Sequence, residues 1–131
     1  MILYHSDVQG LHADALTGFF VGWPQGPTPE QLLAVLRGSY RAVVAVDGDR
    51  VVGFVTAVSD GVLTAFLPWL EVLPGHQGQG IGSSLLDRVL GELAHLYSVD
   101  LTCDPHLRGF YERHGFTALD AMGRRNPTAL G

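Results

Sequence analysis

Residues 70–86 read LEVLPGHQGQGIGSSLL. Proline stands at 74 and glycine at 75, 78, 80 and 82, and an apolar helical pattern begins directly afterwards. Glycine loses more conformational freedom on folding than any other residue, so such a run marks a place where the backbone must approach something closely. The N–H groups of a first helical turn have no partner inside the helix, and the helix dipole favours an anion beside them. Alternating Gly78, Gly80 and Gly82 between a strand and a helix therefore point to a phosphate-bearing ligand cradled by main-chain amides.

Two common phosphate loops do not fit. Gly75 and Gly80 have the Walker spacing, but Ile81 and Gly82 follow where that loop needs lysine and a hydroxyl residue. A dinucleotide loop starting at Gly78 needs a third glycine where Ser83 stands, and Asp100 opens a strand where that motif's acid should end one.

Upstream, YRAVVAV (40–46) and RVVGFVTAV (50–58) are β-rich runs joined by DGD (47–49), a hairpin signal. SDG (59–61) turns the chain into VLTAFLPWLEVL (62–73), a long strand interrupted by Pro68. Proline cannot donate to a ladder, so a bulge or a missing bond is expected there. Still earlier, VQGLHADALTGFF (8–20) has helical apolar spacing, and GWPQGPTP (22–29) breaks it. PEQLLAVLRG (29–38) reads as a helix with Thr28 as N-cap and Pro29 in the first position.

Downstream, Ile81, Leu85, Leu86, Val89, Leu90, Leu93 and Leu96 share one helical face. VDLTC (99–103) is a short strand, and PHLRGFYERH (105–114) is a helix capped by Asp104 and ended by Gly115. FTAL (116–119) reads as a last strand. The order is a helical start, an antiparallel meander and then βαβαβ, an α/β mixture on one sheet in a single domain over residues 1–131.

Composition narrows the function. The net charge is −5, which argues against a nucleic-acid surface. It suits a cationic substrate, although acidic surfaces usually serve solubility. All eight basic residues are arginine. The single cysteine, Cys103, excludes a disulfide framework and reads as buried apolar filler. The six histidines show no metal spacing, so no metal is expected. With no signal-peptide pattern and no membrane-length apolar run, the expectation is a cytoplasmic protein without membrane contact.

LEVLPGHQGQGIGSSLL also resembles the acetyl-CoA signature of the GNAT N-acetyltransferase superfamily. The pattern Q/R-x-x-G-x-G/A is met by Gln77, Gly80 and Gly82, and the preceding V-x-P by Val72 and Pro74. FYERHGF (110–116) is similar to the family's F-Y-x-x-x-G-F. The resemblance covers residues 40–119. It implies a twisted, mostly antiparallel mixed sheet flanked by helices and splayed between the fourth and fifth strands, here 62–73 and 99–103. It implies acetyl-CoA as co-substrate, its pantetheine arm in that cleft and its pyrophosphate on the N–H groups of Gln77 to Gly82. The cofactor-binding set is then Val72, Leu73, Gln77, Gly78, Gln79, Gly80, Ile81, Gly82 and Ser83. Asp104 joins it because many relatives carry a cofactor-contacting asparagine there, and the aspartate is a departure, as is Leu107, where a small residue is common. A homodimer is a further expectation of the resemblance.

The chemistry that the resemblance implies is direct attack of a primary amine on a thioester. The amine must lose its proton, although a free alkylamine has a pKa near 10. Glu71, alternating with Leu70 and Val72 on the strand beside the cofactor, is the candidate base. Tyr111 matches the family tyrosine expected to protonate the leaving sulfur. Phe20 and Trp23, in the loop 19–29, are candidate walls for a small-molecule amine, and Asp60 is a further candidate contact. Structural duties compete for most of these residues: a solvent-facing charge for Glu71, core packing for the aromatics, a turn for Asp60 and capping for Asp104. Two activities fit the residues: acetyl-CoA-dependent N-acetyl transfer, and a non-catalytic acyl-CoA-binding sensor or interaction module.

Overall fold

The computed structural model describes residues 1–130. Six strands form one mixed sheet: β1 (Ile2–His5), β2 (Arg41–Asp47), β3 (Arg50–Ser59), β4 (Thr64–Phe66), β5 (Leu70–Val72) and β6 (Ser98–Asp100). Three α-helices accompany them: α1 (Pro29–Gly38), α2 (Ile81–Glu92) and α3 (Arg108–Glu112). The order is β1-β2-β3-β4-β6, with β5 also on β3, and only β4 and β6 run parallel.

The unbroken apolar runs of β2 and β3 are explained by cover on both faces of the sheet. Val43 and Ala45 pack with Leu85, Leu86 and Val89 of α2 on one face. Ala42, Val44 and Phe54 pack with Leu32 and Leu36 of α1, and with Leu16 and Phe20, on the other. α1 begins as the sequence predicts. Thr28 accepts from the Gln31 N–H at 3.1 Å, and the Gln31 side chain accepts from the Thr28 N–H at 2.8 Å, a reciprocal cap.

The chain around Pro68 sets the shape of the cleft. Val58 pairs with Phe66 and Val55 with Leu70, so three steps along β3 are matched by four on the partner side. That extra residue is a bulge, as Pro68 predicts, and it divides the expected long strand into β4 and β5. β4 runs beside β6, and the Leu67 N–H still reaches the Asp100 carbonyl at 2.9 Å. β5 has no pairing with β6, so the two sides part beyond Leu67. At Gly53 a Cβ would stand 3.0 Å from Leu85 Cδ1 and 3.2 Å from the Glu71 carbonyl, so glycine lets α2 seat against the sheet beside β5.

Several elements differ from the sequence reading. Residues 8–20 form no α-helix: only a 3-10 turn, Ala13–Ala15, appears, and Leu16 and Phe20 reach the core from irregular backbone. β1 was not foreseen; it is short, and its alternate residues are exposed. The strand expected at 99–103 spans only Ser98–Asp100. The helix expected at 105–114 is a 3-10 turn, Pro105–Leu107, followed by α3. FTAL (116–119) is no strand. Leu119 is exposed, and among the described residues nothing pairs with the outer side of β6.

Candidate active site

The turn from β5 to α2 presents main-chain donors. Gly78 and Gly80 lie at φ 79° and 82°, and Gly80 is the N-cap of α2, with no side-chain cap. A Cβ at either position would meet nothing within 4 Å, so this backbone faces open space. The first bond of the helix runs from the Ser84 N–H to the Gly80 carbonyl at 3.1 Å. Among the described residues, no protein acceptor takes the N–H groups from Gly78 to Ser83. Gln77 turns back instead, its side-chain amide donating to the Val72 carbonyl at 3.1 Å. Leu73 and Ile81 are buried, whereas Gln79 is exposed.

Glu71 is half-buried on β5. It accepts the Phe20 N–H at 3.1 Å. Burial pushes its carboxyl pKa above the usual range, and the Phe20 bond opposes this only partly. Phe20 is the only non-glycine among the described residues with positive φ, 62°. Its ring packs edge-on against Trp23 at 5.3 Å and Trp69 at 5.6 Å. Phe20 itself is buried, while Trp23 is 41% exposed and faces the outside of this aromatic group. Phe20 therefore links Glu71 to Trp23, its backbone held by the one and its ring packed on the other.

Tyr111, on α3, is half-buried among Phe110 and Phe116 at 5.0 and 5.7 Å. Burial first, and then the nearby Cys103 thiol, pushes its phenol pKa upward, which keeps it protonated. α3 ends with the Phe116 N–H on the Tyr111 carbonyl at 3.2 Å and Gly115 at φ 89°. Tyr111 and Cys103 both line a cavity of about 420 Å³ between β6, α3 and residues 115–121. None of the residues from Gln77 to Ser83 lines it, but His114 does, and its ring touches Ser83 at the edge of the amide cradle. Cys103 is exposed, not buried filler, because the strand it was expected to end stops at Asp100.

Two residues of the candidate set stand apart. Asp60 caps the β3–β4 turn: one carboxylate oxygen accepts the N–H groups of Val62 and Leu63 at 2.8 Å and of Thr64 at 3.3 Å. These bonds hold its pKa below the usual value. It lies six residues along β3 from Phe54, the partner of Glu71, which is roughly 20 Å at 3.3 Å per residue. The structure does not bring it to Glu71. Asp104 occupies the N-cap position of the 3-10 turn but makes no side-chain capping bond, and it is exposed.

One link escaped the sequence reading. The His114 ring lies between Ser83 Oγ, 3.2 Å from Nε2, and Asp87 Oδ1, 2.9 Å from Nδ1. Ser83 and Asp87 are four apart on α2 and so share a face, which was the available signal. Phe110 covers the same helix start, with its ring 3.7 Å from where a Cβ of Gly82 would stand. The two sequence motifs are thus packed against each other.

A mixed sheet parted at one place, with free amides at the start of α2, is the architecture that the family resemblance implies, and known proteins agree. The acetyltransferase (GNAT) family matches residues 8–116, and the chain belongs to that family. A solved structure from Deinococcus radiodurans, assigned as an acetyltransferase, is 45% identical with a TM-score of 0.91, covering 95% of this chain and 87% of that one. A GNAT-family acetyltransferase from Streptococcus pneumoniae is 34% identical with a TM-score of 0.74, covering 95% and 100%. A Glycine max relative named histone acetyltransferase TAP1 is 32% identical over 111 residues, 75% of this chain and 48% of its own length. The chain spans about half the length of the curated relatives it matches. GNAT acetyltransferases use acetyl-CoA. The unpartnered amides from Gly78 to Ser83, with Gly78 and Gly80 at positive φ, fit a diphosphate, and the parting of β5 from β6 fits an extended arm. Among the described residues, no helix is long and apolar enough to cross a membrane.

Proposed function

We propose that this protein transfers an acetyl group from acetyl-CoA to the primary amine of a small molecule. The observation that carries the reading is the junction of Glu71 with the aromatic loop. A half-buried carboxylate of raised pKa holds Phe20, whose ring packs on the part-exposed Trp23, next to the strand edge that leads into the amide cradle.

When bound, acetyl-CoA supplies the thioester whose acyl carbon the amine attacks. The N–H groups of Gly78 to Ser83 hold its diphosphate. Leu70 and Val72 alternate with residues facing β3, so their backbone groups point into the cleft. The Val72 carbonyl accepts from Gln77, and the Val72 N–H and the Leu70 groups are suited to the amide-bearing arm. Glu71 receives the proton of the incoming ammonium, a task favoured by its raised pKa because a stronger base binds that proton better. Tyr111, kept as the neutral phenol by burial, donates toward the departing sulfur. The acidic surface, with net charge −5, favours a cationic acceptor.

Thiol release from acetyl-CoA over a panel of small amines, with a histone-tail peptide as a further acceptor, tests the reading. Release with a small amine, lost in Glu71→Gln and Tyr111→Phe, is the expected result. Tight coenzyme binding without release for any acceptor would favour the non-catalytic acyl-CoA-binding module. Preference for the peptide would move the acceptor toward the activity named for the soybean relative. Light scattering tests the homodimer that the resemblance implies.

A further inference from the structure

The Ser83–His114–Asp87 contact joins the helix bearing the amide cradle to the segment that follows Tyr111. A carboxylate only accepts hydrogen bonds, so the 2.9 Å contact to Asp87 fixes a proton on His114 Nδ1. Nε2, 3.2 Å from Ser83 Oγ, then has two states. In the neutral ring it accepts, and the Ser83 hydroxyl hydrogen points at histidine. In the imidazolium it donates, and the same hydrogen is released to point elsewhere.

Ser83 is the third residue of α2, in the turn whose amides are unpartnered. A hydroxyl that turns its lone pairs outward opposes a phosphate oxygen, whereas one that turns its hydrogen outward bonds to it. We propose that His114 positions the Ser83 hydroxyl for the diphosphate, and that coenzyme binding is coupled to uptake of one proton, from solvent, at His114 Nε2. This rests on the reading of the loop as a diphosphate cradle.

The surroundings of His114 allow the change. Ser83 and Asp87 meet it from α2, and the Phe110 ring lies 5.1 Å away within its own segment. Its side chain is 12% exposed. The cavity beside it also carries Arg108 and Glu112 from α3, of opposite charge, and Asp100 and Cys103 from the β6 side. Asp87 is the carboxylate that touches the ring.

The probe is 3′-dephospho-coenzyme A, which keeps the diphosphate and lacks the phosphomonoester that itself titrates near neutrality. Calorimetry at one pH in two buffers of different ionisation heat reads the protons taken up. Wild type is expected to take up protons, and His114→Gln to take up none while losing about tenfold in affinity, as for removal of a charge-assisted bond. S-acetylpantetheine, which has no diphosphate, is expected to bind both proteins equally. In a Ser83→Ala background, His114→Gln is expected to change the affinity little, since the two act as one unit. Equal proton uptake by wild type and His114→Gln overturns the proposal, as does an equal loss for both ligands, which would mark a merely structural histidine. Failure of the parent reading looks different: wild type would then bind neither coenzyme A nor its dephospho form.

Discussion

Glu71 holds the backbone of Phe20: its carboxylate accepts the Phe20 N–H at 3.1 Å, and that residue sits at φ 62°, a conformation costly for a side chain with a Cβ. One side chain thus serves both as candidate base and as anchor of the aromatic loop. The two duties separate by substitution. Glu71→Gln keeps an acceptor for the N–H, so the fold is expected to hold while amine-dependent thiol release drops about 10²-fold or more. Glu71→Ala leaves the N–H unpaired and is expected to cost about 1–3 kcal/mol, read by denaturant titration.

The acid limb of the rate profile follows from the same carboxyl. Glu71 acts as a base only when ionised, and burial raises its pKa above the ordinary 4.5. Activity is therefore expected to fall on acidification with a midpoint above that value. Stability runs in the opposite sense. Ionising Glu71 costs more in the fold than in the open chain, so its contribution is best below pH 4.5 and is lost as pH rises through the folded value. The melting temperature of Glu71→Gln relative to wild type is expected to gain between pH 4 and pH 7.

Gly80 and Gly82 are expected to respond differently to the same added methyl. Gly80→Ala places a Cβ on a residue at φ 82°, which costs about 1–2 kcal/mol and disturbs the amides that face the ligand. Coenzyme affinity should fall about tenfold. Gly82 has ordinary helical φ, and its new Cβ would meet Phe110 at 3.7 Å, a normal contact. Calorimetry on Gly82→Ala should show binding close to wild type.

Tyr111→Phe removes a hydroxyl whose pKa is shifted by burial and by Cys103, with no hydrogen bond involved. The fold should lose less than about 1 kcal/mol, within the usual range of a single modest change. Turnover should drop about 10²-fold with coenzyme affinity retained. Equal turnover in the two proteins would remove the tyrosine from the chemistry.

The elements with strong local signals were legible in the sequence. Thr28-Pro29 with Gln31, the two-residue connection after Asp47 and the glycine run before Ile81 each dictate their backbone nearly alone. Residues 8–20 were misread because Leu16 and Phe20 are apolar for the sake of the core, and a chance helical spacing of such anchors imitates an amphipathic helix. β1 lacked a signal because four residues with alternating exposure carry too little pattern. Within the site, the glycine loop and Glu71 could be found from spacing and alternation. The Phe20 N–H and the His114 bridge could not, since they join residues 51 and 31 positions apart. For Asp60 the sequence leaves both a turn role and an amine contact open, because a turn aspartate and a ligand-facing one look alike until its three N–H partners are seen.

The surplus residue between Phe66 and Leu70 has a mechanical meaning. β3 is a single stiff rail, and the two short strands ride on it out of step by one position. Deleting a residue from Leu67–Trp69 would put them in step, join them into one strand on the rail and offer β6 a continuous edge that closes the wedge. An opening for a ligand is thus written into the chain as a counting mismatch, independent of any side chain that lines it.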